Sequence, residues 1–286
     1  MKLVGLIYQE EELDILKDKL DAVMIEVDYL SNPMFKKYDS KKIIEKTLSY
    51  NLIPILKFNK MIHPNEITIV KNMINDYLNY NCLYYITDLG LLNIFKELNL
   101  INKVIYDPIT MICNSLDAKN YYDFGVCSIG ISNEITIEDL NLIINKTNVK
   151  AFYQVFGYRL MLHSKRMLVS LYEEKINKKF NKDNMVLVES TRSDIYPIVE
   201  NDQGTLIYRS GIISLIKELK NMNLEFAYID HFRIDDKTYI EVVNIYSNYL
   251  NDKIELTLAK EQLELLNLNY SDGFSYKDSV YQKEEF

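Results

Sequence analysis

The run "AVMIEV" at residues 22–27 decides how this chain folds. It is short, β-branched and apolar, and it carries a single acid near its end, Glu26. A strand with one wet face alternates apolar and polar residues, whereas a continuous apolar run is buried on both faces. Runs of the same kind recur as "KLVGLI" (2–7), "IPILKF" (53–58), "CLYYIT" (82–87), "KVIYDP" (103–108), "GVCSIGIS" (125–132), "VKAFYQVFG" (149–157) and "EFAYID" (225–230). Helical patterns separate most of them. "PNEITIVKNMINDYLNY" (64–80) and "TIEDLNLIINKT" (136–147) place apolar residues three and four apart. Doubly buried strands alternating with helices predict an α/β protein, a (β/α)8 TIM-barrel-like fold. The first connections are short, which leaves room for irregular closure.

One segment breaks the rhythm. "MVLVESTRSDIYPIVENDQGTLIYRS" (185–210) reads as a β-hairpin turning at "ENDQG", inserted between the seventh and eighth strands. A helix, "GIISLIKELKNMN", is expected after it. Insertions that follow barrel strands sit at the C-terminal face, where barrel enzymes carry their sites. Residues 156–210 are therefore expected to roof the barrel mouth. "IELTLAKEQLELLNLN" reads as a helix near the end, and residues 269–286 as a loosely packed tail. The whole chain, 1–286, reads as one domain.

Composition narrows the partners. At 48% hydrophobic residues the chain can bury a sizeable core, and no apolar stretch is long enough for a membrane span. "MKLVGLIYQEEELD" runs from strand into acids, unlike a signal peptide, so a soluble cytoplasmic protein is the expectation. The net charge of −8 argues against broad nonspecific nucleic-acid binding but leaves room for a local basic patch. Cys82, Cys113 and Cys127 have no C-x-x-C spacing and read as buried reduced thiols. His63, His163 and His231 have no metal-ligand spacing, so no metal site is predicted. The P-loop, dinucleotide, zincin and nucleophile-elbow motifs are all missing.

The candidate site is built from polar residues at predicted strand ends and in the roof. Glu26, Lys57, Asp88, Asp107, Gln154 and Asp230 stand at or near strand ends. In "FGYRLMLHSKRMLVSLYEE" (156–174), Arg159 is a lone charge among apolar residues, suited to gripping a carboxylate or phosphate in a two-pronged fork. His163, Lys165 and Arg166 follow, and with Lys175, Lys178, Lys179 and Lys182 they form a positive run able to meet phosphate. A solvated helix face explains the same run.

Several of these stretches resemble the peptidase U-32 family, the collagenase-like proteins. The resemblance is carried by "DAVMIEV", by "YITDLGLLNIFKEL", by the hairpin "IYPIVENDQGTLIYRS" and by "FAYID". "SKRMLVSLYEE" is similar, more narrowly, to shorter members that pair with a larger paralogue. The resemblance implies a roofed barrel and two competing activities. One is peptide hydrolysis. The other is oxygen insertion with a four-iron cluster, which in the paired members forms 5-hydroxyuridine at the tRNA wobble position, with prephenate implicated. The family's roof motif, His-Gly followed by two cysteines, falls on Phe156, Gly157, Leu160 and Met167, and a further cysteine on Ser214. Cluster iron needs thiolates, so no iron–sulfur cluster is expected. Three functions follow. The first is a cluster-free partner subunit of tRNA hydroxylation, binding tRNA or the larger paralogue. The second is a U-32 peptidase, for which no credible nucleophile–base pair is seen. The third is a non-catalytic barrel binding a small molecule at Arg159.

Overall fold

The computed structural model describes residues 1–34, 38–191 and 193–276. Seven parallel strands come first: β1 (Lys2–Leu6), β2 (Ala22–Glu26), β3 (Ile53–Phe58), β4 (Leu83–Ile86), β5 (Val104–Tyr106), β6 (Ser128–Gly130) and β7 (Ala151–Gly157). Between them run α1 (Glu10–Leu16), α2 (Ser40–Ser49), α3 (Ile67–Asn75), α4 (Leu89–Glu97), α5 (Ser115–Asp123) and α6 (Ile137–Thr147). Side chains start these helices where the sequence supplies them. Asp39, Asp88, Asn114 and Thr136 each accept backbone N–H groups that the first turn leaves unpaired.

An insertion then separates β7 from the last barrel strand. It holds β8 (Leu160–Ser164), α7 (Leu168–Ile176), β9 (Val186–Val188), β10 (Ile195–Asn201), β11 (Gly204–Tyr208) and β12 (Ile213–Ser214). The expected hairpin is β10 with β11, paired from Asn201↔Gly204 to Ile198↔Ile207. It is the centre of a larger antiparallel sheet, ordered β8-β11-β10-β9. The chain returns through β13 (Leu224–Ile229), α8 (Asp236–Leu250) and α9 (Leu256–Leu265).

β13 pairs in parallel with both β7 and β1, and β1 pairs with β2, so the eight-stranded barrel closes. The fold is a (β/α)8 barrel. Its walls follow the two-residue period of a strand. Val4, Leu6, Ala22, Met24, Ile55, Ile105, Phe152, Phe226 and Tyr228 fill the inside. Their neighbours Leu3, Val23, Ile25, Leu56, Tyr84, Val104 and Ala227 face the helices. Each Val, Leu, Ile, Met or Phe among them contributes roughly 1.5–3 kcal/mol on burial. The irregularity lies at β6, which meets β7 only at Ala151 and Phe152. β12 takes the upper part of that edge, antiparallel, at Phe156 and Gly157.

Three local expectations are corrected. "GIISLIKELKNMN" is no α-helix: it makes β12 and a short 3-10 turn at Leu219–Asn221. Ile212, Ile213, Leu215, Ile216, Leu219 and Met222 are all buried, and most of them keep the three-and-four spacing of a helix face. The strand wins at Ile213 and Ser214 because the upper part of β7, beyond the reach of β6, offers them a partner. Cys113 is exposed rather than buried. The tail is described only to Tyr276, and up to there it is tied down. Ile212 bridges to Tyr270, the N–H of Ile137 donates to the Ser275 carbonyl, and Arg209 lies over the Phe274 ring. Residues 277–286 lie outside the described residues.

The hairpin turn depends on Gly204. Its φ is +123°, and a Cβ there would sit 2.0 Å from the Ser164 carbonyl oxygen of β8. Gly204→Ala should therefore destabilise the protein by about 1–3 kcal/mol, read as a lower urea midpoint at unchanged slope.

Candidate functional site at the barrel mouth

The inside-facing positions continue one step past the apolar layers, and there they turn polar. Glu26, Lys57, Asp107 and Asp230 stand at the C-terminal ends of β2, β3, β5 and β13, and Gln154 in the middle of β7. Lys57 Nζ meets Glu26 Oε1 at 3.1 Å, with the Glu26 side chain fully buried. Asp107 accepts the Tyr85 hydroxyl at 3.0 Å and the Ile109 N–H at 2.8 Å. Asp230 accepts the Tyr228 hydroxyl at 2.6 Å and the Phe232 N–H at 2.7 Å. Gln154 donates to the Tyr158 carbonyl. Together with Leu160 and Tyr208 of the roof, four of these residues (Lys57, Asp107, Gln154 and Asp230) line a cavity of about 60 Å³. Burial lifts the Asp107 carboxyl to about 6, against the pull of its two hydrogen bonds. Gly130 makes room for it: a Cβ there would lie 2.2 Å from Asp107 Cγ.

A second, larger space adjoins the cavity and shares Ile109 and Leu160 with it. This groove, about 580 Å³, runs between β8 and the loops after β3, β4 and β5. Met61, Met111 and Met161 give it a soft apolar lining, and His63, His163 and Lys165 give it polar edges. His163 Nε2 lies 3.0 Å from Asn32 Nδ2. Burial, helped by the Lys165 charge, lowers the His163 pKa, so the ring is neutral and accepts at Nε2. Asn32 is itself fixed by Asn59 and by Asn201 of β10. This chain of asparagines ties roof to barrel.

The predicted site residues separate into groups. Glu26 and Asp230 belong to the mouth. His163 and Lys165 line the groove, and Lys165 also pairs with Glu66 at 3.3 Å. Asp88 borders the groove too, but its oxygens are spent on the N–H groups of Gly90, Leu91 and Ile62. It is a helix cap that also pins the loop after β3. Arg159 is 2% exposed, lies over the Tyr153 ring and donates one hydrogen bond, to the Gln154 carbonyl. Its Nε has no partner and it makes no ion pair among the described residues. Arg166, Lys175 and Lys178 are exposed without ion pairs among the described residues, whereas Lys179 and Lys182 pair with Glu173 and Glu200. Sequence reasoning missed Asn32, Glu66 and Glu200. None stands at the end of a barrel strand, and polar loop residues carry no periodic signal.

The sequence profile of peptidase family U32 matches residues 17–284. This chain belongs to that family. It is 28% identical over 173 residues to tRNA hydroxylation protein P2 of Bacillus subtilis (strain 168), a match that spans 53% of this chain and 55% of that relative. A solved U32 peptidase superposes with a TM-score of 0.53 at 14% identity, covering 80% of this chain and 92% of the other, and so supports the fold. At the places where family resemblance implies cluster cysteines, this U32 chain holds Leu160 on the cavity wall, Met167 before α7 and Ser214, bonded to the Tyr246 hydroxyl. Cys82 and Cys127 stand just before β4 and β6, at the opposite end of the barrel. Burial raises both thiols to about 12. Cys113 alone is exposed. No helix among the described residues is long and apolar enough to cross a membrane.

The roof is held by Glu200. Its carboxylate accepts the N–H groups of Val169 and Ser170 at the start of α7, the hydroxyls of Ser170 and Thr205, and the Lys182 ammonium. Burial alone raises its pKa, but these bonds outweigh it and bring it to about 2. A folded-state pKa below the unfolded value stabilises fully above about 4.5 and loses that contribution as pH falls towards 2. Glu200→Gln should lower Tm clearly at pH 7, and the gap from the parent should shrink in scans at pH 3.

Proposed function

We propose that this chain is a cluster-free partner subunit of a tRNA wobble-uridine 5-hydroxylation system. The feature that carries this reading is that Leu160, Met167 and Ser214 stand where the family resemblance implies thiols, in a chain similar to a tRNA hydroxylation protein. The remaining thiols do not substitute, being a buried and a half-buried neutral group at the far end and one surface group. A four-iron cluster needs several thiolates converging on one point. The subunit's part is then to hold RNA or the larger, cluster-bearing paralogue. Arg166, Lys175 and Lys178 are exposed roof cations, without ion pairs among the described residues, that can meet phosphate or an acidic partner surface. The family name carries a peptidase reading as well, but thiols held near 12 make no nucleophile, and the described partner of His163 is an amide.

Mass spectrometry of tRNA nucleosides tests the proposal. Deleting the gene should remove 5-hydroxyuridine and its derivatives, and the parent gene should restore them. A variant with Arg166, Lys175 and Lys178 all changed to Glu should restore them poorly while folding normally. Unchanged nucleosides on deletion, in a host that makes them, would overturn the reading.

Arg159 favours a second reading, a small-molecule site. A guanidinium buried with one hydrogen bond is costly to keep unless something binds it. Small carboxylates should raise Tm of the parent and not of Arg159→Ala; an equal shift in both would remove this reading.

A further inference from the structure

Folding brings together three ligating side chains that stand far apart in the sequence. Glu12 lies in the first turn of α1, His231 two residues past β13, and Asp236 at the first position of α8. One ligand atom from each lies within 4.8 Å of the other two. His231 Nε2 is 3.4 Å from Asp236 Oδ1, and His231 Nδ1 is 3.9 Å from Glu12 Oε2. Two ligands bound to one ion at about 2.1 Å each, in tetrahedral geometry, stand about 3.4 Å apart. The histidine–aspartate pair already has that spacing at Nε2. Glu12 lies nearest the other ring nitrogen, so its carboxylate has to swing towards the aspartate side, closing from within 4.8 Å, to share an ion held there.

The three groups are also held in orientation. The His231 ring is stacked between Tyr8 and Tyr239, with centroids at 4.7 and 3.8 Å, so its plane is fixed. The Tyr8 N–H donates to Glu12 Oε2 at 2.8 Å. Gln9 Nε2 donates to Asp236 Oδ2 at 2.7 Å, and the other aspartate oxygen turns to the imidazole. Such outer bonds are what position ligands around a metal. Glu12 and His231 are buried, and Asp236 is half-buried. The cluster lies just past the C-terminal ends of β1 and β13, the face on which barrels place their sites. Tyr8, His231 and Asp236 open onto a groove of about 670 Å³ that Lys182 and Arg233 also line.

We propose that Glu12, His231 and Asp236 form a binding site for a first-row divalent transition cation. One imidazole nitrogen with two carboxylate oxygens suits zinc, iron(II) or cobalt(II), whereas magnesium and calcium take all-oxygen sets. Three protein ligands leave at least one coordination position, and the groove is where it opens. The site is independent of the hydroxylation reading and of the cysteine positions.

The test uses the full chain, stripped with a chelator and titrated with Zn²⁺ and with Co²⁺ by calorimetry and visible absorption. The expected result is one equivalent of metal, a rise in Tm, and cobalt d–d bands without the strong sulfur-to-cobalt absorption that Cys113 would give. Cys113→Ser should bind as the parent does. Asp236→Asn should weaken binding by at least about tenfold with unchanged circular dichroism. Should that variant not fold, Gln9→Ala, which only releases Asp236 Oδ2, is read in its place and should weaken binding less. Binding of less than one equivalent, or parent affinity in the variant that folds, would overturn the site and leave the three residues as a purely electrostatic cluster.

Discussion

Closure of the sheet between β1 and β13 is the constraint on which everything else rests. Lys2 to Gly5 pair with Phe226 to Ile229, so the first and last strands of the barrel are neighbours across almost the whole chain. A closed sheet has no free edge, and its two faces become an inside and an outside. The inside is narrow and is filled by one set of alternate residues. Where that set runs out of apolar residues it leaves Glu26, Lys57, Asp107, Gln154 and Asp230 as a polar layer at one end. The mouth is thus a consequence of closure, and so is the meeting of Glu12 with His231 and Asp236, which sit at the seam.

The roof is a separate construction, bound to the barrel by polar groups more than by core packing. Glu66 receives Lys60 at 2.8 Å and Lys165 at 3.3 Å, together with the Tyr29 hydroxyl and the His63 N–H. Burial works against its charge, yet these donors hold its pKa at about 2. Glu200 does the same for the start of α7. Much of the roof's own surface stays apolar and exposed, with Tyr172, Val186, Leu187, Val188 and Ile195 each more than two-fifths accessible. The roof's polar anchors thus hold it to the barrel while much of its apolar surface faces outward. They also explain why part of the basic run is not available to a ligand, since Lys165, Lys179 and Lys182 are committed to carboxylates of the same chain.

The residues differ in how far the sequence could disclose them. The mouth acids and Lys57 were legible because they end strands that the apolar runs had already marked. Asp88 was legible for the same reason, and its part as a cap follows from Gly90 and Leu91 behind it, whose N–H groups need an acceptor. The 15-residue α8 was missed, since "DKTYIEVVNIYSNYL" mixes tyrosines and β-branched residues that suit a strand as well. The segment after the hairpin was misread in the opposite direction, because its apolar residues are spaced as on a helix face, whereas the stretch of β7 that β6 does not reach pairs with Ile213 and Ser214.

By itself the sequence determined the barrel, through eight doubly buried runs, and it marked the polar residues that end several of them. Both are local properties, written in residue type and short spacing. Only the tertiary structure decided which side chains meet. Asn32 reaches His163 and Asn201, Lys165 reaches Glu66, and Glu12 reaches His231 across more than two hundred residues. Those contacts are set by strand order and by the seam of a closed sheet, and no spacing along the chain encodes them.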